Sequence, residues 1–188
     1  MSYTETGHPF GFEQKKTTQS ELLRAGIEQA IEPGFTVVAG FLDPDTLAGA
    51  QEEFRQWNID LSREGNRFPS VVATLDQVND ALADQAGEYV ELTGHTFTVA
   101  NMREIDADMQ TSWRHESPHF GPIIVGIPLE GEFPIIADTD REPTEHLAKP
   151  GDLVLYRGCG FGSPVRYSIL PSQDQAPRKL LMANGVWY

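Results

Sequence analysis

Met109 to Leu129 reads MQTSWRHESPHFGPIIVGIPL. Its second half, from Pro122, is a continuous apolar run carrying two prolines and a glycine. Such a run, bounded by turn residues, fits a strand inside a barrel or sandwich better than a helix. Its first half, Trp113-Arg114-His115-Glu116-Ser117-Pro118-His119, has no periodicity and lies where a strand must turn. Ring nitrogens and a carboxylate crowded on a loop, held by a rigid β scaffold, are a common way to build a site.

Toward the C-terminus the chain continues in strand-like runs, at Phe133 to Ala137, Asp152 to Tyr156, Val165 to Leu170 and Arg178 to Ala183. Glycine and proline separate them, at Gly131, Pro143, Pro150-Gly151, Gly158 to Gly162, Pro171 and Pro177. Toward the N-terminus, Thr96 to Ile105 alternates locally and reads as a further strand. Before it the pattern is helical. Leu22, Leu23, Ile27 and Ala30 share one face of a helix starting near Ser20, and Pro33-Gly34 ends it. Phe35 to Leu42 is rich in β-branched and aromatic residues and predicts a strand. Asp43-Pro44 supplies an N-cap and a first helical residue for a helix burying Leu47, Ala50, Phe54 and Trp57. After a loop from Ser62 to Ser70, Thr74-Leu-Asp-Gln77 predicts a capping box opening a third helix that Gly94 ends.

Helices first and strands after predict an α+β chain whose sheet closes on itself as a sandwich or jelly roll, with N-terminal helices packed on one face. The expected organisation is a single domain over 1–188, with an extended lead (1–16), a mainly helical support (17–94) and a β-barrel core (95–188).

In order and spacing, these segments resemble the iron(II)/2-oxoglutarate oxygenase superfamily. Pro33 to Asp45 is similar to that family's entry strand and following helix. Pro150 to Tyr156 is similar to the strand before the distal metal histidine. Tyr167 to Pro171, then Pro177 to Ala183, resemble the distal-histidine strand and the strand bearing the 2-oxoglutarate arginine. The spacing is nearest to the nucleic-acid-base hydroxylases of the TET and base-J type. The resemblance implies the double-stranded β-helix. It also implies that Trp113, His115 and Tyr167 stand at the three metal-ligand positions, and Arg178 at the cosubstrate arginine. The departure is complete, since that family binds iron with two histidines and a carboxylate and tryptophan offers no lone pair.

Candidate roles follow. His115 and Tyr167 are the candidate catalytic groups, and Arg178 and Trp113 the candidate cofactor-binding ones. Any metal would fall to His115 and His119, with Glu116 as a third ligand or base. Pro118, however, breaks the helical rationale for that histidine spacing. Iron is disfavoured, and 2-oxoglutarate or a similar carboxylate is the ligand an arginine fork would take. These four residues are expected to converge on one pocket, with Arg178→Ala abolishing binding of an acidic ligand. Three functions fit: a degenerate-site barrel binding or transforming a small acidic ligand, an active oxygenase with a noncanonical iron site, and a non-catalytic interaction scaffold.

Composition bounds these readings. The chain has 28 acidic and 14 basic residues, a formal net charge of −14. That balance repels phosphate backbones, which weighs against duplex nucleic acid and leaves a small molecule as the partner. No stretch approaches the roughly 18 apolar residues of a membrane span, and the N-terminus lacks a signal-like apolar region. One cysteine, Cys159, fits a reducing compartment. A cytoplasmic protein is expected.

Overall fold

The computed structural model describes residues 19–57, 69–86, 96–116, 121–140, 142–159, 162–173 and 177–186. The elements in chain order are α1 (Gln19–Ile31), β1 (Phe35–Val38), α2 (Pro44–Trp57), α3 (Pro69–Ala86), β2 (Thr96–Ile105), β3 (Ile123–Glu130), β4 (Phe133–Asp138), β5 (Pro143–Ala148), β6 (Leu153–Arg157), β7 (Arg166–Ile169) and β8 (Arg178–Val186). They form a five-stranded sheet in the order β1-β6-β3-β8-β2 and a three-stranded sheet in the order β5-β4-β7. All pairings are antiparallel. The segment before β3 runs along the free edge of β7. Thr111 N–H donates to Ile169 O, and Arg114 and Tyr167 exchange backbone hydrogen bonds of 3.1 and 2.8 Å.

The alternation of β3 shows why its sequence is apolar without interruption. Ile123, Val125, Ile127 and Leu129 face the helices, packing with Leu23, Ile27, Phe54 and Val78. Ile124 faces the space between the sheets, with Phe133, Ile135, Val154, Leu180 and Met182. A strand buried on both faces has no position for a polar side chain. Pro128 is tolerated where the β3–β8 register shifts.

Helix α1 lies close on the large sheet because Gly26 faces it. A Cβ there would come 2.5 Å from Val38 Cγ2. The cap of α2 is as the sequence predicts: Asp43 Oδ1 accepts the Asp45 and Thr46 N–H groups at 3.0 Å. The Thr74 capping box is a correction. Helix α3 already begins at Pro69, and Thr74 is buried within it. Its true opening is served from a distance by Glu53 of α2, whose carboxylate accepts the Ser70 N–H and hydroxyl. Strand β5 is an addition: the sequence reading took Pro143 as punctuation, but it opens a polar strand at a sheet edge, where a missing donor costs little. No helix among the described residues is long and apolar enough to cross a membrane. The lead at 1–16, Gly94 and His119 lie outside the described residues.

Candidate functional site

The polar interior of the barrel lies at one end, where β2, β6, β7 and the 111–116 segment meet. Arg103 comes from β2, Tyr156 from β6 and Tyr167 from β7. Glu116 comes from the segment that leaves the β7 edge. Tyr167 donates its hydroxyl to Glu116 Oε1 at 2.5 Å, and Tyr156 donates to the same oxygen at 3.4 Å. Arg103 Nη2 reaches Oε1 at 3.3 Å and Oε2 at 3.4 Å, while its Nη1 lies 3.3 Å from the Tyr167 oxygen. The two phenol rings pack at 5.1 Å between centroids. Arg114 lies over the Tyr167 ring, its Cζ 5.7 Å from the centroid.

Glu116 is 8% exposed and both tyrosines 3%. A carboxylate so buried needs a cation and hydrogen-bond donors, and here it has both. Burial pushes the Tyr167 phenol above its ordinary range, and the Glu116 carboxylate adds to this against Arg103. Burial raises Tyr156 well above it, reinforced by Tyr167 and Glu116. Both phenols therefore remain protonated donors at neutral pH. The Nε of Arg114 is buried and has no hydrogen-bond partner among the described residues.

The sequence-predicted residues divide. Tyr167 is in this cluster. Trp113 and His115 point the other way: Trp113 is 45% exposed beneath the Arg166 guanidinium, and His115 is exposed with Nδ1 2.9 Å from Glu116 O. The resemblance had placed Trp113 and His115 inward, whereas the structure turns Arg114 and Glu116 inward. In extended chain a one-residue change of frame exchanges the two faces. Arg178 is fully buried elsewhere, at the start of β8. Its Nη1 donates to Leu170 O at 2.6 Å, and its Nη2 to Asp106 O and Met109 O at 2.6 and 2.8 Å. Its fork is turned to the chain's own carbonyls rather than offered to a ligand. Arg157 and Arg166 are likewise committed, to Asp140 and Asp138. Arg103 is not among the candidate site residues that the sequence singles out. The available signal was a lone carboxylate, Glu116, beside a strand end, which needs a cation once buried.

Behind the two tyrosines lies a cavity of about 20 Å³, lined by Gly126, Val154, Leu180, Met182 and the phenol rings among others. That is space for about one water molecule.

No protein-family model and no curated protein matches the sequence. Solved structures do. A prolyl-4-hydroxylase from Pseudomonas putida superposes with a TM-score of 0.63 at 16% identity, covering 100% of this chain and 99% of that one. The double-stranded β-helix is that of the iron(II)/2-oxoglutarate oxygenases. A Trichoplax adhaerens prolyl hydroxylase, solved with a peptide of hypoxia-inducible factor, gives 0.63 at 10% identity, covering 89% and 90%. An oxidoreductase of the 2OG-Fe(II) oxygenase family from Burkholderia pseudomallei gives 0.57 at 12% identity, covering 91% of each. At these identities the likeness is one of fold.

The donor set of the cluster does not fit the iron of those enzymes. It contains no imidazole, and its one carboxylate is held by a guanidinium and two phenols. Among the described residues no group of three or more His, Cys, Asp or Glu side chains is arranged to hold a metal ion. Among the described residues, Arg178 donates to backbone carbonyls and the cavity behind the tyrosines is about 20 Å³.

Proposed function

We propose that this protein is an oxygenase-fold barrel in which an internal Arg103–Glu116–Tyr167 cluster replaces a metal centre. In this reading it binds a small carboxylate-bearing molecule at the Arg103–Arg114 end of the barrel. The observation that supports it is the charge around Tyr167: Arg103 pairs with Glu116, while Arg114 lies over the Tyr167 ring and its Nε lacks a hydrogen-bond partner among the described residues. In a chain of net charge −14, a local excess of positive charge beside buried phenols selects an anion. A planar guanidinium offers a carboxylate paired donors.

The test has two arms. Metal content is measured after purification and after anaerobic reconstitution with iron(II). Titration calorimetry then follows 2-oxoglutarate and shorter dicarboxylates, with Arg114→Leu as control. The expected result is substoichiometric iron, and carboxylate binding that Arg114→Leu removes. Stoichiometric iron with oxygen-dependent turnover of 2-oxoglutarate overturns the reading and makes the protein an active oxygenase with an unusual iron site.

A second reading, the non-catalytic scaffold, is favoured by the filled barrel interior, whose cavity is about 20 Å³. It predicts no heat and no thermal shift with any carboxylate.

A further inference from the structure

The cluster is asymmetric in its construction. The donors stand on strands: Arg103 on β2, Tyr156 on β6 and Tyr167 on β7, each fixed by sheet pairing. The acceptor does not, since Glu116 follows the single bridge at Arg114 and belongs to no strand. Three donors converge on one acceptor oxygen, Glu116 Oε1, which is the arrangement by which proteins hold a carboxylate or another oxyanion. The fit is uneven. Tyr167 is close at 2.5 Å, but the Arg103 contacts are 3.3 and 3.4 Å. Charge-assisted N–H to O⁻ bonds ordinarily measure about 2.7–2.9 Å. The carboxylate therefore sits nearer the Tyr167 phenol than the Arg103 guanidinium. Behind the phenols the small cavity is almost wholly apolar in its lining and has room for no more than about a methyl-sized group, so it takes no second charge.

We infer that Glu116 is the built-in occupant of a carboxylate site, and that this site takes a short-chain monocarboxylate, of the size of acetate or propionate, when Glu116 is withdrawn. The inference rests on the ligand reading given above and adds to it the class of ligand and a competitor supplied by the chain itself. The charge count agrees. Removing Glu116 leaves the half-buried Arg103 without this counter-ion, and a bound monocarboxylate restores the same charge with the same three donors.

The experiment vacates the site. Glu116→Gly is compared with wild type in acetate, propionate and chloride at equal ionic strength, by thermal unfolding and calorimetry. The expected result is saturable acetate binding to Glu116→Gly, at least about tenfold tighter than to wild type and weakened about tenfold more by adding Tyr167→Phe. Glu116→Gln is the filled-site control: its side chain still occupies the position, so acetate gives no gain. If Glu116→Gly fails to fold in chloride, its refolding yield in acetate reads the site directly. Equal unfolding temperatures, heats and refolding yields in acetate and chloride overturn the inference. Failures of the two readings are separable. Carboxylate binding by wild type that Arg114→Leu removes, with no gain in Glu116→Gly, sinks this inference and leaves the proposed function. A gain in Glu116→Gly with wild type silent supports the inference and removes the Arg114 ligand.

Discussion

Two arginines enter the space between the sheets, and the protein neutralises them in different ways. Arg178 donates to three backbone carbonyls: Leu170 after β7, and Asp106 and Met109 after β2. Phe133 lies beneath it, ring centroid 5.7 Å from Cζ. Arg103 meets a carboxylate and a phenol, with its side chain 19% exposed. The first contact ties loops together, using the spacing of the guanidinium donors. The second balances charge at a place a solute can approach. The more deeply buried of the two is the one held by backbone carbonyls.

Replacing each arginine separates these roles most sharply. Arg178→Met takes the donor from three part-buried carbonyls and changes a fully buried position, and we expect a loss of about 3–5 kcal/mol in denaturant unfolding. Arg103→Met is expected to cost about 1–2 kcal/mol, because Glu116 keeps two phenol donors and the site borders solvent. Equal losses would erase the distinction. Tyr167→Phe comes next, at about 1–2 kcal/mol for one charge-assisted hydrogen bond. It also carries a pH signature. A phenol whose folded pKa is raised contributes stability that is present below its unfolded value of about 10 and lost as pH rises through the folded value. Wild type should therefore lose more stability than Tyr167→Phe across the alkaline range, measured by urea midpoints at successive pH values.

Gly126→Ala probes the interior between the two arginines with a smaller effect, and of opposite sign. The added Cβ would stand 3.4 Å from Val154 Cβ and 3.6 Å from Leu180 Cδ1 and Met182 Sδ, which is ordinary contact. A gain of about 0.5–1 kcal/mol is expected, since glycine's backbone freedom is lost from the unfolded chain. The smallest effect is at His146 on β5, packed against Phe35 with ring centroids 4.6 Å apart and the planes tilted by 42°. Burial lowers its pKa. The unfolded chain then binds a proton that the folded one refuses, so stability falls as pH drops from about 6.5 through the folded value. His146→Phe should flatten the midpoint profile there and leave the alkaline arm unchanged.

What the sequence revealed follows from how many constraints each segment carried. The run from Pro122 to Leu129 had to be apolar on both faces, so its reading as an internal strand was over-determined. Asp43-Pro44 announced the start of α2 by local chemistry that needs no tertiary partner. The start of α3 was hidden because its first donors are met by Glu53, seventeen residues earlier than Ser70. Strand β5 was hidden because an exposed edge asks little of its residues. The frame at 113–116 was undecided for a related reason. Four residues with an aromatic, two bases and an acid alternate equally well either way, and only the Arg114–Tyr167 bridge fixes which pair turns inward. The resemblance grouped Tyr167 with Trp113, His115 and Arg178, whereas the structure groups it with Arg103 and Glu116. It did not foresee that Arg178 would be held by the protein itself.

The pairing of β1 with β6, Phe35 opposite Tyr156, has a consequence for how the chain is made. Arg157 closes the same junction, donating to Ile31 O at the end of α1, to Asp140 and to Ser163 O. A ribosome delivers the helices and β1 first, and their partner strand arrives more than a hundred residues later. At about 5–20 residues per second, the apolar faces of α1 and β1 wait on the order of ten seconds for the sheet that covers them. The nascent chain is thus a substrate for chaperones through most of its synthesis, and release before Arg157 strands the N-terminal half without its cover.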